Sequence, residues 1–341
     1  MKTVIVFQGG GSLGAFGAGA WSVLSPFLQR QDGPVIAVAG ASIGAVNAAL
    51  VAHQWRAPDR GAQALERLWR ERMATPSLPF FGLGMGSSDW SREVRSWNGF
   101  LTFLLVGSRG MAVPQLRRWN PWDGLRRVER PLFDRTRLRR LLDEWMPGYA
   151  SAADPVLPLL VVGATDLLDG ELRLFDSDAG TIGALPLMAS AAIPLLFEPI
   201  EIDGRLYCDG ELLRQSMLPG LLSLLRDRGR LQAGEPVMLI TIEQLPRKVA
   251  ELPRSGAELA YRLINLLQID KLSASEVKDV GQWVRVLRDP LPKDAVSGQF
   301  DYSPERIDAL IQQGAEAAQA ALRQALPASG LKPARAAAGA S

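Results

Sequence analysis

Two strand–loop–helix signatures follow one another within residues 4–52, and they restrict the architectures open to this chain. Val4 to Gln8 is an apolar run that enters the glycine loop Gly9-Gly10-Gly11-Ser12-Leu13-Gly14 and then a helical stretch from about Ala15 to Leu28. After the turn Asp32-Gly33-Pro34, a second apolar run, Val35 to Ala39, leads into Gly40-Ala41-Ser42-Ile43-Gly44 and the small-residue helix Ala45 to Ala52. Two strand–loop–helix units in a row predict an α/β fold with a parallel sheet. Ala15, Gly17, Ala18, Gly19 and Ala20 suit a helix lying close to that sheet.

Further along, Ala62 to Met73 has helical spacing, and Arg135 to Trp145 predicts another amphipathic helix. Pro158 to Ala164 reads as a buried strand. Asp169-Gly170 and Asp203-Gly204 read as hairpin turns, the second joining Ile200–Asp203 to Arg205–Cys208. Val237 to Ile242 is expected as the last core strand, followed by helices at about Gly256–Leu267, near Ser273–Leu287 and from Pro304 to about Leu326. Ser303 and Pro304 form an N-cap and first-turn pair for the last of these. Residues 1–326 are read as one domain, with 327–341, rich in Ala, Gly and Pro, as a disordered tail. Between them, residues 75–123 look like an insertion carrying Trp90, Trp97, Trp119 and Trp122. Ser77 to Met85 is apolar without either period. The whole 75–123 insertion, with its tryptophans and arginines, suits a lid or a membrane-docking surface over the active site, and equally an insertion packed on its own small core.

Composition removes several classes of function. Acidic and basic residues nearly cancel at a formal charge of +2, and no basic stripe interleaved with aromatics points to nucleic acid. A single cysteine, Cys208, excludes an internal disulfide and suits a reducing compartment. One histidine and one cysteine cannot supply a zinc ligand set, so no metal site is expected; no other cofactor is expected either. The longest membrane candidate, around Phe100 to Val106, is far short of the roughly 20 residues a span needs. The expectation is cytoplasmic residence, with peripheral contact at the inner face of the membrane.

The loop at Ser42 has the strand–turn–helix context in which a G-x-S-x-G serine acts as a nucleophile, with Gly40 and Gly44 allowing the sharp turn. Gly10-Gly11-Ser12-Leu13-Gly14 matches the same pattern, so the pattern alone does not choose between Ser12 and Ser42. Ser42 is favoured because the first loop is better suited to offering amide N–H groups to an anion. The first loop also satisfies G-x-G-x-x-G, which keeps a dinucleotide-binding oxidoreductase open as an alternative. A dinucleotide site wants a carboxylate at the end of the second strand, where this chain has Gly40-Ala41-Ser42. The lone histidine, His53, lies eleven residues beyond Ser42 on one helix. At about 1.5 Å per residue that is about 16 Å away, too far for a base. A carboxylate acting directly on the serine is the main alternative. Asp-Gly occurs at Asp32, Asp123, Asp169, Asp203 and Asp209, and Asp209 differs by ending a return strand where a carboxylate can be buried.

The glycine loop, the Ser42 loop and Asp209-Gly210, in that order, resemble the patatin-like phospholipase family. So does Ala189-Ser190-Ala191-Ala192-Ile193-Pro194 with Phe197, Pro199 and the hairpin leading into Asp209. The resemblance spans about residues 3–315 and implies a three-layer α/β/α fold around a mostly parallel sheet. It implies a Ser–Asp dyad, with Ser42 attacking an acyl carbonyl of a lipid ester or phospholipid and Asp209 taking its proton. The oxyanion hole would lie in the loop of Gly9, Gly10, Gly11 and Gly14, chiefly the amides of Gly10 and Gly11, with Ile43 contributing. Gly40, Gly44 and Gly210 would support the turns. The chain departs from the family at Leu13, where Arg or Lys is frequent, at Glu211, where Gly or Ala is common, and at Gln215 and Met217. A catalytically idle lipid-binding relative is a further alternative.

Overall fold

The structure is a computed structural model of the 341-residue chain. It describes residues 1–83, 85–86, 88–115, 131–152, 154, 156–211, 216–245, 252–253, 256, 259, 262–263, 266, 280–289 and 298–325. In chain order the elements are β1 (Lys2–Phe7), α1 (Gly14–Gln29), β2 (Val35–Ala41), α2 (Ile43–His53), α3 (Ala62–Arg67), α4 (Asp89–Val106), β3 (Val113–Pro114) and β4 (Phe133–Asp134). There follow α5 (Thr136–Trp145), β5 (Leu159–Asp166), β6 (Leu172–Asp176), α6 (Ala184–Ser190), β7 (Ile200–Ile202) and β8 (Arg205–Asp209). The last four are α7 (Met217–Asp227), β9 (Val237–Glu243), β10 (Val280–Leu287) and α8 (Pro304–Ala325).

β10, β9, β1, β2 and β5 lie side by side in that order and parallel. β6 and β8 both pair antiparallel with β5, and β7 pairs antiparallel with β8. Successive side chains of a strand point to opposite faces, and here both faces are apolar. Val4, Ala37, Ala39, Val161 and Leu239 pack on Leu218, Leu221, Leu222 and Leu225 of α7. Ile5, Phe7, Val38, Leu160, Val162 and Ile240 pack on the other side, under α1, α2 and α8. Two cores separated by a sheet make the three-layer α/β/α architecture. Gly19 of α1 faces α8, because a β-carbon there would strike the backbone of Ile311. The small residues of that helix thus serve a helix–helix approach as well as the sheet.

Two expectations need correction. Ser273–Leu287 is not helical where it is described: residues 280–287 are β10, so β9 is not the last core strand. Val280, Val284 and Val286 are β-branched and their run pairs along β9, which outweighs the polar Gln282 and Arg285. The helix over 62–73 opens after Arg67 into a wider π-type segment, Leu68–Met73. The 75–123 stretch contains the helix α4, started by the Ser88 side chain accepting the N–H of Ser91, and joins β3 to β4 in a separate two-stranded ribbon. Positions 256, 259, 262, 263 and 266 are helical. Trp119, Trp122, Asp123, Gln215, most of 256–267 and the tail 327–341 lie outside the described residues.

Candidate active site

The register of β5 brings the two candidate residues together. Gly163 faces Ala41 of β2 and Leu174 of β6 on opposite edges, and the next residue, Ala164, faces Arg173 of β6 and Asp209 of β8. β8 therefore takes up the edge that β2 leaves. One strand runs parallel to β5 and the other antiparallel, so their C-terminal ends converge at the Gly163–Ala164 step. Ser42 follows one end and Asp209 closes the other. Ser42 Oγ donates to Asp209 Oδ2 at 2.6 Å across 167 residues of sequence.

Ser42 has φ 53° and ψ −135°, a strained conformation for a residue with a side chain, costing about 1–3 kcal/mol where it occurs. Its surroundings over-determine it. The Ser42 N–H donates to Ser190 Oγ at 2.9 Å, and that hydroxyl donates onward to the Gly163 carbonyl at 2.6 Å. The Ser190 carbonyl accepts the N–H of Gly210, and the Ala192 carbonyl accepts that of Asp209. Gly40 and Gly44 meet backbone to backbone beneath the turn, and a β-carbon on Gly210 would strike the Gly163 carbonyl. α2 begins immediately after Ser42, so its positive N-terminal end lies at the serine.

Asp209 is completely buried. Burial raises its pKa from 3.8 to about 6, opposed by the Ser42 hydroxyl, the Glu211 N–H on Oδ1 at 2.9 Å, and the charge of Arg135. Arg135 is itself buried, with its guanidinium donating to the carbonyls of Met188 and Glu198 at 2.7 and 2.8 Å and facing the Phe197 ring. Desolvation pulls it down to about 10, so it stays cationic at neutral pH. The two carbonyls bracket the segment that holds Ser190 and Ala192, so one cation both staples that segment and steadies the Asp209 charge.

The glycine loop abuts the serine: a β-carbon built on Gly9 would lie 2.5 Å from Ser42 Cβ. The members of this loop differ in what they offer. The Gly9 N–H is taken by Glu211 Oε1 at 2.9 Å, and the Gly14 N–H by the carbonyls of Gly11 and Ser12. As N–H donors to an oxyanion these two are removed from the expected set. Gly10 and Gly11 have φ 139° and 55°, which glycine alone adopts readily, and no described residue accepts their N–H groups. The same is true of Ile43 at the start of α2. Leu13 is fully enclosed in the core, so a leucine here fills space where a charged side chain is frequent in the family.

His53 stands at the far end of α2, its ring nitrogens against the carbonyls of Ala49 and Gly148, and burial lowers its pKa. Asp169 and Asp203 occupy hairpin turns, and Asp169 pairs with Arg173 and Arg205. Asp32 lies in the turn before β2. Among the described residues no cluster of His, Cys, Asp or Glu could hold a metal ion. Sequence reasoning gave Arg135, the Ser190 hydroxyl and the Glu211 carboxylate no part in the site. A lone hydroxyl in Ala189-Ser190-Ala191-Ala192 and a carboxylate two residues after the candidate base were the available signals.

Compared with family models, residues 5–219 match the patatin-like phospholipase model. The chain belongs to the patatin-like phospholipase family. Membership supports, in general terms, a lipid hydrolase. VipD from Legionella pneumophila is similar at 13% identity and a TM-score of 0.41, over 95% of this chain and 67% of that one. The type III effector protein ExoU is similar at 15% identity and a TM-score of 0.35, over 95% of this chain and 53% of ExoU. The ExoU–SpcU complex of Pseudomonas aeruginosa gives 16% and 0.34, over 95% of this chain and 52% of the match. This chain thus spans about half the length of ExoU, and at these TM-scores none of the three likenesses carries an argument. A search of curated proteins finds no match.

Proposed function

We propose that this patatin-like protein hydrolyses acyl esters of lipids, in the manner of a phospholipase A or lipid esterase, through a Ser42–Asp209 dyad. The observation that carries the reading is the 2.6 Å bond from Ser42 Oγ to a buried carboxylate whose pKa is raised to about 6. At neutral pH that carboxylate is ionised, yet basic enough to accept a proton. Ser42 Oγ attacks the acyl carbon as Asp209 takes its proton, and the carbonyl π pair moves onto oxygen. The N–H groups of Gly10, Gly11 and Ile43 would stabilise that oxyanion, each such donor being worth about 10²–10³ in rate. Collapse expels the alcohol, which takes the proton from Asp209, and leaves an acyl-serine. Water, deprotonated by Asp209, then releases the fatty acid and restores the serine.

The dinucleotide alternative meets two obstacles. β2 ends without a carboxylate for a ribose, and the Glu211 carboxylate already occupies the first N–H of the glycine loop, where a pyrophosphate would be repelled. Fluorophosphonate labelling tests the preferred reading most directly. Adduct on Ser42, with turnover of short-chain p-nitrophenyl esters lost in Ser42→Ala and Asp209→Asn, is expected. Absence of labelling would favour an idle lipid-binding protein, and labelling at Ser12 would overturn the choice of serine.

The partner in this reading is a lipid surface, met from the reducing side of the membrane. Leu78, Phe80, Phe81, Leu83, Met85 and Trp90 are exposed together on one excursion, which suits insertion into an interface. Rings continue inward through Phe81, Trp97, Phe100 and Phe300, next to Gln299, whose carbonyl accepts the Ser12 N–H. Among the described residues no helix is long and apolar enough to cross a membrane. Replacing Phe80 and Phe81 by alanine should lower activity on phospholipid vesicles relative to soluble ester by about tenfold. An unchanged ratio sinks the docking idea.

A further inference from the structure

Glu211 follows the proposed base by two residues and reaches the opposite wall of the site. Its N–H donates to Asp209 Oδ1 at 2.9 Å, and its Oε1 accepts the N–H of Gly9 at 2.9 Å. A β-carbon built on Gly9 would lie 2.9 Å from Glu211 Cγ and 2.5 Å from Ser42 Cβ, so the glutamate stem runs close beside the serine. One residue thus touches both the carboxylate and the glycine loop.

The loop needs such a hold. Gly9, Gly10 and Gly11 form a run with no side chains to pack, and two of them sit at positive φ. An unrestrained run of this kind samples many conformations, each pointing its N–H groups elsewhere. Here both ends are tied: the Gly9 N–H to Glu211, and the Ser12 N–H to the Gln299 carbonyl at 2.8 Å. Between the ties lie Gly10 and Gly11, whose N–H groups no described residue accepts. A bond from N–H to carboxylate is shorter and stronger than one to a neutral acceptor, which suits a restraint on so mobile a segment.

We propose that Glu211 is a positioning residue of the oxyanion hole, its carboxylate anchoring Gly9 so that Gly10 and Gly11 present their N–H groups beside Ser42. The same residue, through its own N–H, ties the anchored loop to the base. The inference rests on the Ser42–Asp209 reading for its kinetic consequence, but not for the anchor itself.

Two measurements on the full chain test it: mass-spectrometric amide exchange of the peptide spanning residues 7–13, and kcat and KM for p-nitrophenyl butyrate at pH 8. The variants are Glu211→Ala, which removes the acceptor, and Glu211→Gln, which keeps one. In Glu211→Ala, exchange should quicken about tenfold or more, kcat should fall about 10–100-fold and KM should stay within about twofold. Glu211→Gln should restore both readouts to within about threefold of wild type. Unchanged exchange in Glu211→Ala overturns the anchor. A loss confined to KM, or a glutamine variant as poor as alanine, overturns the positioning role. If Ser42→Ala keeps its activity, the dyad reading fails separately, and exchange alone decides the anchor. Should Glu211→Ala not fold, Glu211→Gly is read the same way.

Discussion

Ser12 and Ser42 occupy the same five-residue pattern in opposite surroundings. Ser12 sits in a single helical turn, fully enclosed, its N–H held by Gln299 and its Oγ without a hydrogen-bond partner among the described residues. Ser42 sits at positive φ with its N–H on Ser190 and its Oγ on Asp209. Glycines permit a turn at both places. Only at the second does the pairing of distant strands deliver a carboxylate, so the pattern is a permission and the sheet register supplies the chemistry.

The sharpest way to break this comparison is to remove each hydroxyl in turn. Ser42→Ala should lose about 10³-fold or more in kcat, with no fluorophosphonate adduct, whereas Ser12→Ala should change kcat by less than about threefold. Comparable losses would erase the distinction. Asp209→Asn should cost about 10²–10⁴ in kcat while stabilising the fold. The sign follows from a folded pKa raised to about 6: the protonated form is favoured by burial, so that contribution is present below pH 3.8 and lost as pH rises through 6. Melting at pH 8 should therefore show the asparagine variant more stable by about 1–3 kcal/mol, a gain that shrinks towards pH 4. Ser190→Ala, which leaves the strained Ser42 N–H without its acceptor, should slow fluorophosphonate inactivation by about tenfold. The smallest effect is on pH dependence. The acid limb of kcat/KM should have its midpoint at about 6, and Arg135→Met should move it upward by removing the cation that favours ionised Asp209.

Short, fully buried parallel strands announce themselves as unbroken apolar runs, which is why Val4–Phe7, Val35–Ala39, Leu159–Ala164 and Val237–Ile242 are legible without a structure. The Asp-Gly turns are legible for a local reason, since Asp203 and Gly204 adopt positive φ as a tight hairpin requires. β10 is not, because its Gly281, Gln282 and Arg285 look helical or loop-like until β9 is beside them. Around the site, the order of motifs picks out Ser42 and Asp209. The Gly9–Glu211 and Ser42–Ser190 bonds join residues 202 and 148 positions apart, and no local pattern encodes a partner at that distance. Within the glycine loop, the N–H groups of Leu13 and Gly14 are met locally, but those of Gly9 and Ser12 go to Glu211 and Gln299, which no local pattern encodes.

The meeting of β2 and β8 end to end on β5 has a consequence for how activity is gained and lost. Ser42 and Asp209 meet where all three strands are aligned to the residue, and a slip of one position would turn Asp209 to the other side of the sheet. On the proposed dyad, hydrolysis would thus report on the finished sheet. A half-assembled chain would be inert towards lipid, and turnover should vanish in the same cooperative step as the fold.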